Sequence, residues 1–262
     1  MKTDFLSEII RRKEKDVEIQ RRKIPVEKLM IPAEKIGKQR PFFGRLAKPG
    51  PMGANIIAEI KRASPSKGLI RTDLDAATFA AAYEKGGAAA ISVLTDGPYF
   101  KGSLEDMKTA KRNSTIPVLR KEFIISSYQV YESAASGADA ILLIAGILEK
   151  DKLCALLRLC RELGMDALVE IHNPEDIESA AYAGARLIGI NNRNLKSFKT
   201  DINNAMNLSR MLDPRQIAVA ASGITGPDDI KKNLDFGIFN FLIGESIVRS
   251  EDPTGFIRQL MP

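Results

Sequence analysis

The stretch Ile56-Ile57-Ala58-Glu59-Ile60-Lys61-Arg62-Ala63-Ser64-Pro65-Ser66-Lys67-Gly68 sets two charged side chains inside an otherwise strand-like apolar run. Side chains alternate faces along a strand, so Glu59 and Lys61 point the same way. An unpaired buried charge is costly, so that direction leads neither into lipid nor into a dry core. A polar cavity at the C-terminal end of the strand accommodates the pair. Taken alone, the two residues fit the solvent face of an edge strand equally well, and the rest of the chain has to decide.

Eight short apolar runs recur between helix-patterned segments, beginning near Ile56, Ala88, Pro117, Asp139, Asp166, Arg186, Ile217 and Ile238. Between them lie stretches with 3.6-residue periodicity, such as Asp75 to Lys85, Ser127 to Ser136, Glu149 to Leu163 and Pro227 to Leu234, several of which open on Asp, Ser or Pro. Strict alternation of strand and helix implies parallel pairing through right-handed crossovers. Eight such units predict an α/β fold, a single closed (β/α)8 TIM barrel, rather than an open sheet. No Gly-x-Gly-x-x-Gly follows the first strand, which counts against a doubly wound dinucleotide-binding sheet.

The 262 residues, 44% of them apolar, suit one such barrel and leave no length for a second domain. Residues 1–48 differ in kind: they are helix-patterned and charge-rich, with Phe5, Leu6, Ile9, Ile10 and Val17 as an apolar stripe. They are read as a helical extension packed on the bottom or side of a barrel spanning 49–262. The net charge of +6 resides in this extension, which holds 14 Lys/Arg against 7 Asp/Glu, while the remainder is nearly balanced at 25 against 26. Glu8, Glu14, Asp16 and Glu18 interrupt the basic residues and Trp is absent, the pattern of a solvated helix face rather than a nucleic-acid surface. With no apolar leader and no run approaching 18 apolar residues, the expectation is a cytoplasmic protein that engages neither nucleic acid nor membrane.

Cys154 and Cys160 fall on different faces of one predicted helix, and with the lone His172 they are the only Cys and His side chains. That excludes a zinc site and leaves a Ser-His-Asp triad dependent on His172. Carboxylate and lysine chemistry remains. In a barrel the C-terminal strand ends face the active site. They offer Glu59 and Lys61 on strand 1, Lys121 on strand 3, Glu170 on strand 5, and Asn191 with Arg193 after strand 6. Mutual fields at one mouth are expected to tune an acid and a base toward neutral pH. Strands 7 and 8 end in Ser222-Gly223-Ile224 and Gly244-Glu245-Ser246, where glycines let backbone N–H groups approach an anion, and a phosphorylated small molecule is the expected ligand. A Schiff-base aldolase using Lys121 or Lys61, and a non-catalytic ligand-binding barrel, remain open on the residues alone.

These residues resemble the indole-3-glycerol phosphate synthase family. The resemblance covers nearly the whole chain, through Glu59 to Gly68, Ser92 to Thr95, Tyr99 to Gly102, Leu119 to Ile124, Leu168 to His172, Gly189 to Leu195, Ser222 to Ile224 and Ile243 to Ser246. It implies a carbon–carbon lyase of tryptophan biosynthesis, with no metal and no cofactor. The implied reaction closes the indole ring of 1-(2-carboxyphenylamino)-1-deoxyribulose 5-phosphate with loss of carbon dioxide and water. By the resemblance Lys121 is the general acid and Glu170 its partner in dehydration. Lys61 holds the anthranilate carboxylate, the sharing of the acid role between Lys61 and Lys121 being open. Glu59 fixes Lys61, Asn191 orients the hydroxyl chemistry and Ser222 joins the catalytic set. Ser64 and Arg193 bind anionic groups, Phe100 and Phe123 wall the aryl ring, and Gly223, Gly244 and Glu245 offer backbone N–H groups to the phosphate, with the Glu245 carboxylate turned away. Two positions depart: the family's Glu-Ser-Gly-Ile reads Ala221-Ser222-Gly223-Ile224, and, as a milder change, Glu122 stands where Asp is usual.

Overall fold

The computed structural model describes residues 5–35, 37, 39–194 and 197–261; Leu195 of the sixth motif and the side chain of Phe5 lie outside them. Among the described residues, eight parallel strands close a barrel: β1 Asn55–Ile60, β2 Ala90–Leu94, β3 Val118–Lys121, β4 Ala140–Ile144, β5 Asp166–Ile171, β6 Leu187–Asn191, β7 Ile217–Ala221 and β8 Asn240–Ile243. Each strand pairs with the next, and β8 pairs with β1 from Asn55↔Asn240 to Ala58↔Ile243. Every expected strand start falls within two residues of an observed one. The helices are α1 Phe5–Lys23, α2 Val26–Lys35, α3 Phe42–Leu46, α4 Ala76–Gly86, α5 Gly97–Phe100, α6 Leu104–Arg112, α7 Ser127–Ala135, α8 Lys150–Glu162, α9 Pro174–Tyr182, α10 Asn203–Ser209, α11 Pro227–Leu234, α12 Glu245–Arg249 and α13 Pro253–Leu260. Start signals hold locally: the Asp75 carboxylate accepts the Thr78 N–H at 2.8 Å and so caps α4.

Alternation along the strands separates two cores. Ile56, Ala58, Ile60, Ile91, Val93 and Val118 face outward into the layer shared with the helices. Ile57, Ala90, Leu119, Leu142, Leu168, Leu187, Val219 and Leu242 fill the barrel interior. Both faces are covered, which is why runs such as Ala140-Ile141-Leu142-Leu143-Ile144 are apolar throughout. Phe42 and Leu46 of α3 are fully buried in the interior core. The α3 segment is held by carboxylates at the N-terminal side of the strands, the Phe43 N–H donating to Asp166 at 2.7 Å and the Arg40 N–H to Asp139 at 2.6 Å. It plugs the bottom of the barrel.

Helix α1 does not lie under the barrel or along its side, as expected for the extension, but at the C-terminal rim. Lys13 reaches Asp96 at 2.8 Å and Glu122 at 2.9 Å, just beyond β2 and β3. Leu6 and Ile9 turn into the cavity there. An apolar stripe says which face of a helix is buried; the partner of its lysine says where. Burial lowers the Lys13 ammonium, but Glu122 and Asp96 outweigh it and hold its pKa above the ordinary value. Replacing Lys13 with Met leaves buried Asp96 without its lysine and Glu122 with Arg120, at 3.9 Å, as its remaining cation, so stability should fall by about 3 kcal/mol. Urea unfolding measures it, and a loss under about 1 kcal/mol would mean the carboxylates are satisfied without Lys13.

Candidate active site

The strand alternation that sends Ile57 into the barrel interior carries Glu59 and Lys61 to the top of the same face. Glu59 is 2% exposed, and its Oε1 accepts from Lys61 Nζ at 2.5 Å. On β3 the same periodicity follows Leu119 with Lys121, and on β5 it follows Leu168 with Glu170. The two meet across the barrel with Lys121 Nζ 3.3 Å from Glu170 Oε2. Asn191 at the end of β6 donates its amide to Glu170 Oε1 at 3.0 Å and accepts the Arg193 N–H at 3.0 Å. Two lysine–carboxylate pairs thus face one space, a cavity of about 870 Å3 at the C-terminal ends of the strands.

Ser64, Phe100, Phe123, Arg193, Ser222, Gly223, Gly244 and Glu245 line this cavity as well. The Phe100 and Phe123 rings lie 6.2 Å apart, tilted by 43°. Arg193 hydrogen-bonds Ser66, tying the loop after β6 to the loop after β1. Ser222 and Gly223 take φ of +68° and +81°, turning the backbone sharply off β7. A Cβ at Gly223 would stand 2.7 Å from the Thr200 methyl, so both conformation and space call for glycine there. Gly244 also has a steric reason to be glycine: a Cβ would lie 2.4 Å from Glu59 Oε1 and 3.0 Å from Lys61 Nζ. The Glu245 carboxylate turns to Arg249 at 3.2 Å and Lys67 at 3.8 Å.

The electrostatics reverse the expectation of an acid and a base drawn toward neutrality. Burial lowers the Lys121 ammonium, yet Glu170 and Glu59 outweigh it and leave its pKa raised. Burial pushes Glu170 up, yet Lys121, His172 and Asn191 outweigh it and hold the carboxyl well below the usual carboxylate range. Opposite charges at contact each favour the other's ionised form. The raised Lys121 pKa also argues against Lys121 as a Schiff-base nucleophile, which needs a neutral amine.

Residues 6–260 match the family model of indole-3-glycerol phosphate synthase. The chain belongs to that family. It is 55% identical to the indole-3-glycerol phosphate synthase of Desulfosudis oleivorans over 259 residues, covering 98% of each chain. It is 48% identical to that of Syntrophobacter fumaroxidans, covering 98% of this chain and 97% of the relative. Among solved structures it is similar to 3-hexulose-6-phosphate synthase from Salmonella typhimurium, with a TM-score of 0.60 at 15% identity, over 79% of this chain and 96% of that one. That likeness concerns the barrel alone.

Against the synthase family's usual pattern, Ala221 leaves an alkyl group where a carboxylate normally stands, 4% exposed at the end of β7 and lining the cavity. Glu122, the other departure, points away from the chemistry into the Lys13 pair, and Thr95 donates to it at 2.9 Å. Sequence reasoning missed Lys67 and Arg249, cations at the cavity wall, and Leu6 and Ile9, its lid side. Lys67 stood in the quoted first motif, and the other three carried no signal of their address.

The charge states make a pH prediction. The Glu170 carboxyl is held low, so its base form persists through and below the usual carboxylate range and is lost only as pH falls further. Lys121 is raised, so its proton is lost only as pH rises above the ordinary 10.5. Lys121 and Glu170 should therefore add no limb to kcat/KM from about pH 5 to 9 beyond the one set by the substrate's phosphate, whose second pKa is about 6. A further limb near neutrality, absent from the titration of the substrate itself, would contradict this pairing.

Proposed function

We propose that the chain is an indole-3-glycerol phosphate synthase, closing the ring of 1-(2-carboxyphenylamino)-1-deoxyribulose 5-phosphate with loss of carbon dioxide and water. The observation that carries the reading is the convergence of the Lys121–Glu170 pair, 3.3 Å apart, and the Lys61–Glu59 pair, 2.5 Å apart, on one cavity in a chain of this family. Lys121 protonates the ribulose carbonyl as the ring carbon attacks it; its ammonium is charged at rest, so the proton is in place before substrate arrives. Loss of carbon dioxide restores the aromatic ring. The hydroxyl formed from the carbonyl leaves as water with a second proton from one of the two cavity lysines facing the glutamates, while Glu170, ionised at rest and oriented by Asn191, takes the proton from the adjacent ring carbon. Lys61, fixed by Glu59, holds the anthranilate carboxylate, and Ser222 assists at the β7 end.

Cations at the wall suit a substrate carrying both carboxylate and phosphate. Arg193 and Ser64 engage the anionic groups, Phe100 and Phe123 flank the aryl ring, and backbone N–H groups around Gly223, Gly244 and Glu245 receive the phosphate. Ala221 leaves the acid–base work to the two lysines and two glutamates already in place. Incubation with the proposed substrate and detection of indole fluorescence tests the reading. Turnover well above the uncatalysed rate is expected, and consumption of substrate without an indole product would overturn it.

A further inference from the structure

His172 is the chain's single histidine, and nothing in the chemistry above uses it. It follows Glu170 by two residues and so extends the same face of β5. Its Nε2 stands 3.2 Å from Glu170 Oε1, is sealed from solvent and makes no aligned hydrogen bond among the described residues, so Glu170 is the group it faces. On the ring's other side Nδ1 lies 3.8 Å from Asp176 Oδ2, and that oxygen accepts the His172 backbone N–H at 2.7 Å. Asp176 is itself fixed, 6% exposed in the first turn of α9, with its N–H donated to the Asn173 cap at 2.9 Å. The His172 carbonyl faces the Asn204 amide at 3.5 Å. The imidazole is thus wedged between two carboxylates and held from behind by elements that do not line the cavity.

Glu170 is gripped at both oxygens. Oε2 faces Lys121; Oε1 faces the Asn191 amide and the His172 ring. The lysine, however, is the group whose proton moves in the proposed reaction. When that proton leaves, Glu170 loses its nearest cation, and the partners that remain are Asn191 and His172. We propose that His172 is a positioning residue that holds the Glu170 carboxylate in its reactive orientation and keeps it ionised while the Lys121 proton is in transit. The role rests on the assignment of Lys121 and Glu170 above. The charged groups bearing on this pair are Lys121 on β3, Glu59 and Lys61 on β1, and Asp176 and Glu175 on α9, while Asn191 on β6 and Asn204 on α10 are neutral. Among the described residues, Lys121 is the lysine paired with Glu170, and the His172 ring stands against the oxygen that Lys121 does not face.

The test compares His172→Leu, which keeps bulk and removes the donor, with His172→Gln, which retains an N–H at similar reach. With the Leu variant, kcat should fall about tenfold or more at nearly unchanged KM, and the loss should deepen as pH falls from about 8 to 5, because Glu170 then protonates more readily. The Gln variant should keep kcat within about threefold and show a shallower pH dependence. Equal losses in both, or a loss independent of pH, would mark a packing role only and overturn the proposal. If the Leu variant fails to fold by circular dichroism, the Gln variant and the wild type still decide through the ring itself. One histidine gives one set of imidazole 15N resonances, expected to show a proton on Nε2 and to shift in Glu170→Gln. Resonances indifferent to Glu170→Gln would remove the contact and the proposal with it. Wild-type protein that shows this contact but forms no indole would sink the reaction assignment and this role together, whereas active wild-type protein with equal Leu and Gln losses sinks the His172 role alone.

Discussion

Replacing Lys121 with Met lowers kcat by about 10²-fold or more while KM changes little, because the substitution keeps the length of the side chain and removes only its proton. The lysine is the strand-3 side chain that alternation turns inward with Leu119, and its ammonium sits 3.3 Å from Glu170. Two effects act together in the variant. The general acid is gone, and Glu170 loses the field that holds its carboxyl low, so part of the base is protonated near neutral pH. The variant should therefore also acquire an acid limb that wild-type protein lacks. Steady-state kinetics across pH decide the matter: near-normal turnover at every pH would transfer the acid role to Lys61, which also lines the cavity and is already paired with Glu59.

The second large effect is expected at Gly244. From sequence, this glycine admits a phosphate to the backbone, and a substitution would act mainly on KM. The structure adds a steric term, since any Cβ there would stand 2.4 Å from Glu59 Oε1 and 3.0 Å from Lys61 Nζ. Glu59, 2% exposed, has no solvent to swing into. Even Gly244→Ala must displace the Glu59–Lys61 pair, and a displacement on the order of 1 Å at a catalytic group costs about 10²-fold. Both kcat and KM should worsen for Gly244→Ala, and Gly244→Asp, which adds a negative charge beside Glu59, should be worse again. Measuring the two constants separately checks this, and a raised KM with intact kcat would return Gly244 to a purely anion-binding part.

Much of this site was legible in the sequence because a barrel converts strand alternation into address. Glu59 with Lys61, Lys121 after Leu119, and Glu170 after Leu168 all follow a period of two toward the C-terminal ends, and all four line the cavity. What escaped depends on contacts between distant residues. The position of α1 is set by Lys13 meeting Asp96 and Glu122, which no periodicity reveals. The small hairpin of Ala63–Ser64 with Gly68–Leu69 is two residues deep, too short for alternation to register. The steric reason for Gly244 is the side chain of a residue 185 positions earlier, Glu59. His172 is different in kind: it stood two residues past Glu170, and the same alternation that identified Glu170 pointed to it.

The pairing of ring closure with decarboxylation is the centre of the account, and it is measured most directly with substrate labelled in the anthranilate carboxylate, counting labelled carbon dioxide against indole fluorescence in the same reaction. Wild-type protein should release one carbon dioxide for each indole formed, and Lys121→Met should lose both in the same proportion. Indole or carbon dioxide formed no faster than in protein-free buffer, or substrate consumed with its label retained, would contradict it.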